Sequence, residues 1–528
     1  GFQVFDEPTT IPFGRLTFLF GPNSAGKSAV EDGLLLICNA LESSVVGGWN
    51  PSSLDRHWRR TNGNPEEFAP VLTMGLTATV PTYLASALES SIDAICDGSA
   101  SGPAWGHEIS VTFRYTFSPD YLEGWSGISS ERSYALGIDG CDVLRLEERV
   151  RLGVNFSHPL LRGFRLVSDF SALALELPEC VSVKDGWIWL RSLHVYLKSQ
   201  GADRDAILLG LGSEAGGSIT KPDNWRETTN KIRPAMDEFL DYFDNLNGVA
   251  LGNMSIKPHV VRASRNIPSL KDLTHLCTVL ELGESSIEKF GLLPDSDSAY
   301  NNLAESCLHE QIGGEVSSLK SGRDLLKGVN RALSDHLFLE RGYSVAADIR
   351  LLLDLDQFGN LSHPEIDEAR RLHSLVQIHL VDSEGRRYSF EEVGSGLGYV
   401  LPVLCSICDT KTSISMLQQP ELHLHPALQA ALGDVFIESS SPEHQIIVET
   451  HSEHLLLRIL KRVRQTAAGK APIPELRCNP EDVVVAYFDP KPDGTTTVKR
   501  LRISEDGEFL DRWPRGFFTE RDDELFDE

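Results

Sequence analysis

The chain has 528 residues, 41% of them hydrophobic and 24% charged, with a net charge of −27 at neutral pH. That balance belongs to a globular protein and argues against a disordered or fibrous one. It also opposes a general attraction to nucleic acid, which draws on dense Lys and Arg contacts, and leaves only a local basic patch as a route to DNA. No run approaches the length of apolar residues that a membrane helix requires, so no membrane partner is expected. The cysteine count is 9, an odd number spread along the chain, which fits reduced thiols and a cytoplasmic setting. The chain opens at Gly1 with neither an initiator Met nor a signal peptide, so some leading residues are expected to be missing.

The first informative stretch is Phe18-Leu19-Phe20-Gly21-Pro22-Asn23-Ser24-Ala25-Gly26-Lys27-Ser28. It fits the phosphate-loop pattern G-x-x-x-x-G-K-[ST] at every fixed position. Leu16 to Phe20 reads as a short buried strand and Ala29 to Leu41 as a helix, the context that pattern requires. Glycines at 21 and 26 let the backbone curl so that successive N–H groups face an anion, and the helix adds its positive end. Asn23, Ser24, Ala25, Gly26, Lys27 and Ser28 are therefore the expected nucleotide contacts, with Lys27 on the β- and γ-phosphates and the Ser28 hydroxyl on Mg²⁺. A nucleoside triphosphate with Mg²⁺ is the expected ligand.

Apolar and polar residues alternate from Val71 to Val80, His107 to Phe117, Tyr134 to Gly137 and Val143 to Leu152, predicting strands of an antiparallel β subdomain. From Val183 to Leu339 the character turns helical, with helices expected over Arg233–Asn245, Leu270–Leu282 and Ser318–Leu339 and no sustained heptad repeat. Strands return at Tyr343–Asp354 and Leu375–Asp382, before a turn at Asp382–Gly385 and a strand at Arg387–Phe390.

Chemistry becomes dense again after Phe390. Gly394, Ser395 and Gly396 form a small loop before an apolar helix, a place where an anion can sit. Cys405 and Cys408 fall on that helix and are read as packed thiols, since no second pair at zinc spacing follows. A buried strand, Ser413–Leu417, ends in Gln418-Gln419-Pro420-Glu421-Leu422-His423-Leu424-His425-Pro426. A second, Gln445–Val448, ends in Glu449-Thr450-His451-Ser452-Glu453-His454. Strands whose C-terminal ends carry polar residues and lead into helices match the ligand edge of an open α/β sheet. His423 and His425 are too few for a metal set and are read as structural or interfacial.

This order of motifs resembles the ATPase heads of the ABC class, and most of all the overcoming-lysogenization-defect-like ATPases of bacterial anti-phage systems. Arg265-Asn266-Ile267-Pro268 and the closing Asp506-Gly507-Glu508-Phe509 with Trp513-Pro514-Arg515-Gly516-Phe517-Phe518 resemble that group too. The resemblance is strong at both ends and loose over residues 45–380. It implies an α/β fold, an ABC-type ATPase head whose mixed sheet carries the phosphate-loop core, with an antiparallel β subdomain and a largely helical insertion. It implies a homodimer or higher symmetric oligomer, in which Gly394, Ser395 and Gly396 of one copy reach the γ-phosphate held by Lys27 of the other. His451 would be the switch histidine that senses that phosphate. Its alternative role is to cap the following helix.

The chain departs from the group where an acid usually ends the Gln418 strand. Neutral Gln418 brings no charge to Mg²⁺, and Gln419 cannot act as a general base. Slow hydrolysis is expected, with Glu421 able to substitute only if the turn at Pro420 returns it to the site. Gln418 is read either as natural or, preferably, as a Glu-to-Gln trap. No D-x-D cluster of a toprim nuclease follows His454, so an effector nuclease would be a separate protein. The expected division is an N-terminal ATPase lobe (1–183), a helical partner-binding insertion (184–340), a C-terminal lobe (341–470) and a β-hairpin extension with an acidic tail (471–528). A DNA-tethering repair ATPase and an ATP-bound scaffold without turnover are the alternatives.

Overall fold

The computed structural model describes residues 4–5, 7–42, 71–79, 108–116, 131–147, 151–158, 167–176, 181–191, 258–263, 274–276, 303, 306–307, 320–351, 374–390, 392–409 and 413–514. Strand β1 (Leu16–Phe20) is buried at every residue. Its run Leu-Thr-Phe-Leu-Phe is apolar on both faces, as suits a parallel strand covered on both sides. The phosphate loop follows, and then helix α1 (Lys27–Glu42).

Next come β2 (Val71–Thr79), β3 (Glu108–Thr116), β4 (Glu131–Ile138), β5 (Cys141–Glu147), β6 (Arg151–Asn155), helix α2 (Val167–Glu176), β7 (Val181–Lys184) and β8 (Trp187–Arg191). The strands form an antiparallel sheet of 7, ordered β2-β3-β4-β5-β6-β8-β7. Asp139-Gly140 and Asp185-Gly186 turn two of its hairpins with positive φ at all four residues, the conformation whose twist matches the flanking strands. The single strand expected over Val143–Leu152 is instead two, β5 and β6, paired at Leu144↔Val154. The charged run Glu147-Glu148-Arg149 interrupts the alternation there. A border at residue 183 falls inside the β7–β8 hairpin.

The chain continues with β9 (Pro258–Val261), β10 (Thr274–Leu276), α3 (Lys320–Arg331) running on into a π-helical turn (Ala332–Leu337), β11 (Ser344–Leu351), β12 (Ser374–Val381) and β13 (Arg387–Tyr388). After these come α4 (Ser395–Cys408), β14 (Ile414–Gln418), α5 (Pro426–Ser439), β15 (Gln445–Glu449), α6 (Glu453–Ala467), β16 (Val483–Pro490) and β17 (Thr496–Leu501). The helix expected over Leu270–Leu282 is not formed at Thr274–Leu276, which pair with β12 as an edge strand. A short apolar run reads equally well in either state, and pairing with β12 decides it. The helix expected over Arg233–Asn245 lies outside the described residues.

A sheet of 6 strands, β17-β16-β1-β15-β14-β9, forms the centre. All its pairings are parallel except β16–β17. The C-terminal hairpin, expected as an extension, therefore completes this sheet, with β16 directly beside β1. Two compact units result: residues 1–6 with 32–255, and residues 7–31 with 256–528. The first holds the antiparallel sheet. The second holds the central sheet and the smaller sheet β10-β12-β11. Its core joins Leu16, Phe18 and Phe20 with Leu401 and Leu404 of α4, Phe436 of α5 and Ile459 of α6. Each large side chain so buried contributes roughly 1.5–3 kcal/mol. Among the described residues no helix is long and apolar enough to cross a membrane.

Helices α5 and α6 are joined by a buried charge cluster. Asp434 accepts from Arg462 Nε at 2.7 Å, Arg462 Nη2 at 2.7 Å and Arg458 Nη1 at 2.5 Å. Two-point binding of a carboxylate by one guanidinium fixes the helix register as well as adding energy. Asp434→Ala leaves Arg462 buried and unpaired, so a stability loss of about 3–5 kcal/mol is expected, read as a lowered denaturant midpoint. A midpoint within about 1 kcal/mol of the parent would show that solvent or another carboxylate replaces the pair.

Candidate functional site

The phosphate loop is held from several sides. Gly21 has φ 146°, and a Cβ there would lie 2.6 Å from the Phe488 carbonyl oxygen of β16, so only glycine lets the loop leave β1 this close to its neighbour. Ser24 (φ 62°) and Gly26 (φ 91°) then reverse the chain, and Ala25 N donates to the Pro22 carbonyl at 3.3 Å. Alternating left- and right-handed residues turn successive N–H groups into a concave anion site. Thr496 Oγ at the start of β17 donates to the Ala25 carbonyl at 2.9 Å and pins the loop from outside. Asn23 and Ser24 are exposed at its tip, and Ala25 is buried.

Lys27 is 3% exposed. Its Nζ donates to the carbonyls of Gly21 and Pro22, each at 3.0 Å, and lies 3.7 Å from a Glu449 oxygen. Burial lowers its pKa, while the nearby Glu449 carboxylate raises it in part. The exposed Ser28 hydroxyl donates to the other Glu449 oxygen at 3.3 Å. Glu449 ends β15, level with Leu19 of β1 on one side and Gln418 of β14 on the other. The loop, its lysine and the carboxyl ends of parallel strands thus converge on one anion-binding edge.

The core is an α/β fold that carries a phosphate loop at the carboxyl edge of its largely parallel sheet.

Gln418 is engaged at both ends of its amide. Its Oε1 accepts from Ala263 N at 3.2 Å, and its Nε2 donates to Glu31, which stands one helical turn beyond Lys27 on α1. Glu31 is 2% exposed and also accepts from Arg262 Nε, just past β9, at 3.4 Å. Gln419 has φ 43°, and its N–H donates to the Glu449 carbonyl at 2.7 Å. The turn that follows brings Glu421 back, and its Oε1 accepts from His451 N at 3.0 Å. Glu421 therefore anchors the backbone that carries His451.

The helix-capping role weighed for His451 belongs to its neighbour. Ser452 is the N-cap of α6, its Oγ accepting from Leu455 N at 3.2 Å and donating to Gln429 Oε1 at 2.7 Å. Burial and the positive charge of Lys27 both push the His451 pKa down, so the ring is neutral at pH 7. His425 caps α5, its Nδ1 accepting from Ala427 N at 3.3 Å. His423 has φ 63°, and its ring lies 4.4 Å from that of Tyr399. Cys408 is pushed up to about 12 by burial, and Cys405 well above its usual value, so both are protonated thiols on α4 and poor metal ligands. Gly394 is the N-cap of α4, and Gly394 and Ser395 are exposed. A Cβ at Gly396 would lie 2.6 Å from the His423 carbonyl oxygen, so glycine is required for the approach of α4 to that loop.

Sequence reasoning missed roles for Glu449, Glu31 and Arg262. The available signals were an acid closing a buried apolar strand and an acid one helical turn beyond the phosphate-loop lysine.

Residues 275–458 are similar to the family described as "AAA domain, putative AbiEii toxin, Type IV TA system". Residues 478–527 are similar to a family described only as a protein of unknown function, DUF3696. No curated protein matches the chain. Among solved structures, an Smc head bound to the C-terminal winged-helix domain of ScpA is 13% identical, with 96% of each chain covered and a TM-score of 0.39. The Smc head of Pyrococcus furiosus with an extended coiled coil is 11% identical, with 95% of this chain and 94% of that one covered and a TM-score of 0.33. The SMC head domain from Thermotoga maritima is 9% identical, with 95% and 97% covered and a TM-score of 0.28. Likenesses this distant carry nothing about the activity of this P-loop protein.

The His451 environment gives a titration test. Because protonation is penalised in the folded state, the group favours folding above its ordinary pKa of about 6.5, and that contribution declines as pH falls below it. In ¹³C-histidine NMR the His451 signal should titrate below pH 6.5. Lys27→Met should move it upward while burial keeps it below the ordinary value. An unmoved His451 titration in Lys27→Met would place the lysine charge too far away to act.

Proposed function

We propose that this chain binds Mg-ATP at the phosphate loop, pairs head to tail with a second copy around it, and uses that pairing to control a separate effector. The observation that carries the reading is the buried Lys27, whose ammonium is gathered with Ser28 and the strand-end Glu449 at the mouth of a curled, N–H-lined loop. An ammonium buried there meets an anion at small added desolvation cost. The N–H groups of Ser24 to Lys27 would hold the β-phosphate, and Lys27 would bridge the β- and γ-phosphates. The oxygen donors present suit a hard cation, which when bound adds positive charge where the γ-phosphate leaves.

In the paired state, Gly394, Ser395 and Gly396 of one copy would close over the γ-phosphate held by the other. The exposure of Gly394 and Ser395 at the N-terminus of a 14-residue helix supports this role. Neutral His451 would donate a hydrogen bond to a γ-phosphate oxygen, its backbone steadied by Glu421. Hydrolysis is slow in this reading, because Gln418 and Gln419 offer no base to the attacking water. An effector carried on another protein, in anti-phage defence, is supported by the order of motifs and by the toxin–antitoxin description of the family matched over residues 275–458.

The two amides at 418 and 419 also favour a second reading, an ATP-stabilised scaffold with no turnover at all. Solution mass and phosphate release, with and without Mg-ATP, separate the two. The parent chain should double in mass with Mg-ATP. Lys27→Ala should lose roughly 10- to 100-fold in nucleotide affinity. Ser395→Arg should bind ATP and stay unpaired. Turnover appearing in Gln418→Glu supports the ATPase, and its absence in a variant that still pairs supports the scaffold. A parent mass unchanged by Mg-ATP would sink the pairing reading.

A further inference from the structure

We infer that Glu449, at the end of β15, is the carboxylate that completes the magnesium donor set of the nucleotide site, in place of the acid that β14 lacks. This assignment rests on the Mg-ATP reading above.

Three observations point to it. First, both ends of the Gln418 amide are engaged, with Ala263 N on its oxygen and Glu31 on its nitrogen, so that side chain is turned toward α1 and β9. Second, Glu449 sits level with Gln418 on the adjacent parallel strand, one strand nearer β1. Third, its Oε2 and the Ser28 hydroxyl are 3.3 Å apart. Neighbouring ligands of an octahedral Mg²⁺ with bonds near 2.1 Å stand about 3 Å apart, so the pair needs little movement to bind one ion together.

The chemistry of the donors agrees with the spacing. A carboxylate and a hydroxyl are hard oxygen donors, the class that Mg²⁺ prefers, usually with one or two carboxylates beside phosphate oxygens. Glu449 also lies 3.7 Å from Lys27. Without nucleotide its charge is met by the ammonium. When the phosphates take the lysine, the carboxylate is left beside Ser28, and a divalent cation supplies the charge it then needs. Glu31 is placed differently. It is buried, held by Gln418 and Arg262, and a full helical turn further from the loop. It orients Gln418 and is no ligand.

The test compares ATP affinity in EDTA and in excess Mg²⁺ by calorimetry, for the parent, Glu449→Gln and Glu449→Asp. The parent should bind ATP more tightly with Mg²⁺. Glu449→Gln shifts the EDTA affinity through Lys27 as well, so the readout is the ratio of affinity in Mg²⁺ to affinity in EDTA, which should fall about 10- to 100-fold from the parent's. Glu449→Asp, which keeps the charge, should recover part of it. Mn²⁺ with a non-hydrolysable ATP analogue, followed by EPR, gives a second readout: bound Mn²⁺ should fall in Glu449→Gln at saturating nucleotide. An Mg²⁺ gain and Mn²⁺ retention equal to the parent's in Glu449→Gln would overturn the assignment and leave the ATP site standing. A parent chain that binds no ATP in either condition overturns the ATP reading and the assignment with it.

Discussion

Lys27 carries its charge at a position 3% exposed to solvent, and the site depends on how that charge is met. A buried ammonium without partners would cost several kcal/mol or lose its proton. Two of its partners, the Gly21 and Pro22 carbonyls, come from its own loop, and the third comes from Glu449, hundreds of residues later in the chain. That third partner exists only because β15 lies parallel to β1, in the register that sets Glu449 beside Leu19. The full partner set of Lys27 therefore depends on the register of the central sheet.

The same register arranges charge across the sheet edge. Just past β9 stands Arg262, at the end of β14 the neutral Gln418, at the end of β15 Glu449, and facing them along α1 are Lys27, Ser28 and Glu31. Two separate pairings follow. Arg262, Gln418 and Glu31 satisfy one another at the back, while Glu449, Lys27 and Ser28 meet at the front, where phosphates would arrive. In this arrangement Gln418 is an amide using both polarities. A carboxylate at 418 would lose the donor that Glu31 now receives and set two negative charges in contact, a conflict that only a cation or a proton relieves.

Much of this was legible in the sequence, because the informative signals are local. The phosphate loop announces itself by glycine and lysine spacing, β1 by an apolar run covered on both faces, and the hairpin strands of the antiparallel sheet by alternation. The α4 helix, with its two inert cysteines, was likewise visible. The failures lie where pairing decides. Thr274–Leu276 became a strand because β12 offers it an edge, and the Val143–Leu152 run folded back on itself. Glu449 falls in a motif that assigns it no role, since nothing in a one-dimensional pattern says that its neighbours in space are Lys27 and Ser28. Likewise Ser452, and not His451, caps α6, a distinction that turns on one residue of backbone geometry.

The loop after β14 ties these parts into one contact chain. Its entry at Gln419 and its exit near His423 both adopt positive φ, a costly state for non-glycine residues that persists only where surroundings hold it. What holds it here is function-side contact at both ends. Gln419 N binds the Glu449 carbonyl, Glu421 binds His451 N, and the His423 carbonyl closes against Gly396 at the start of α4. The N-terminus of α4, exposed at Gly394 and Ser395, and the backbone of His451 are thus linked by a single short loop. Packed backbone of this kind shifts as a piece or not at all. A second copy that pressed on the N-terminus of α4 would therefore act on the same loop whose Glu421 holds the His451 backbone.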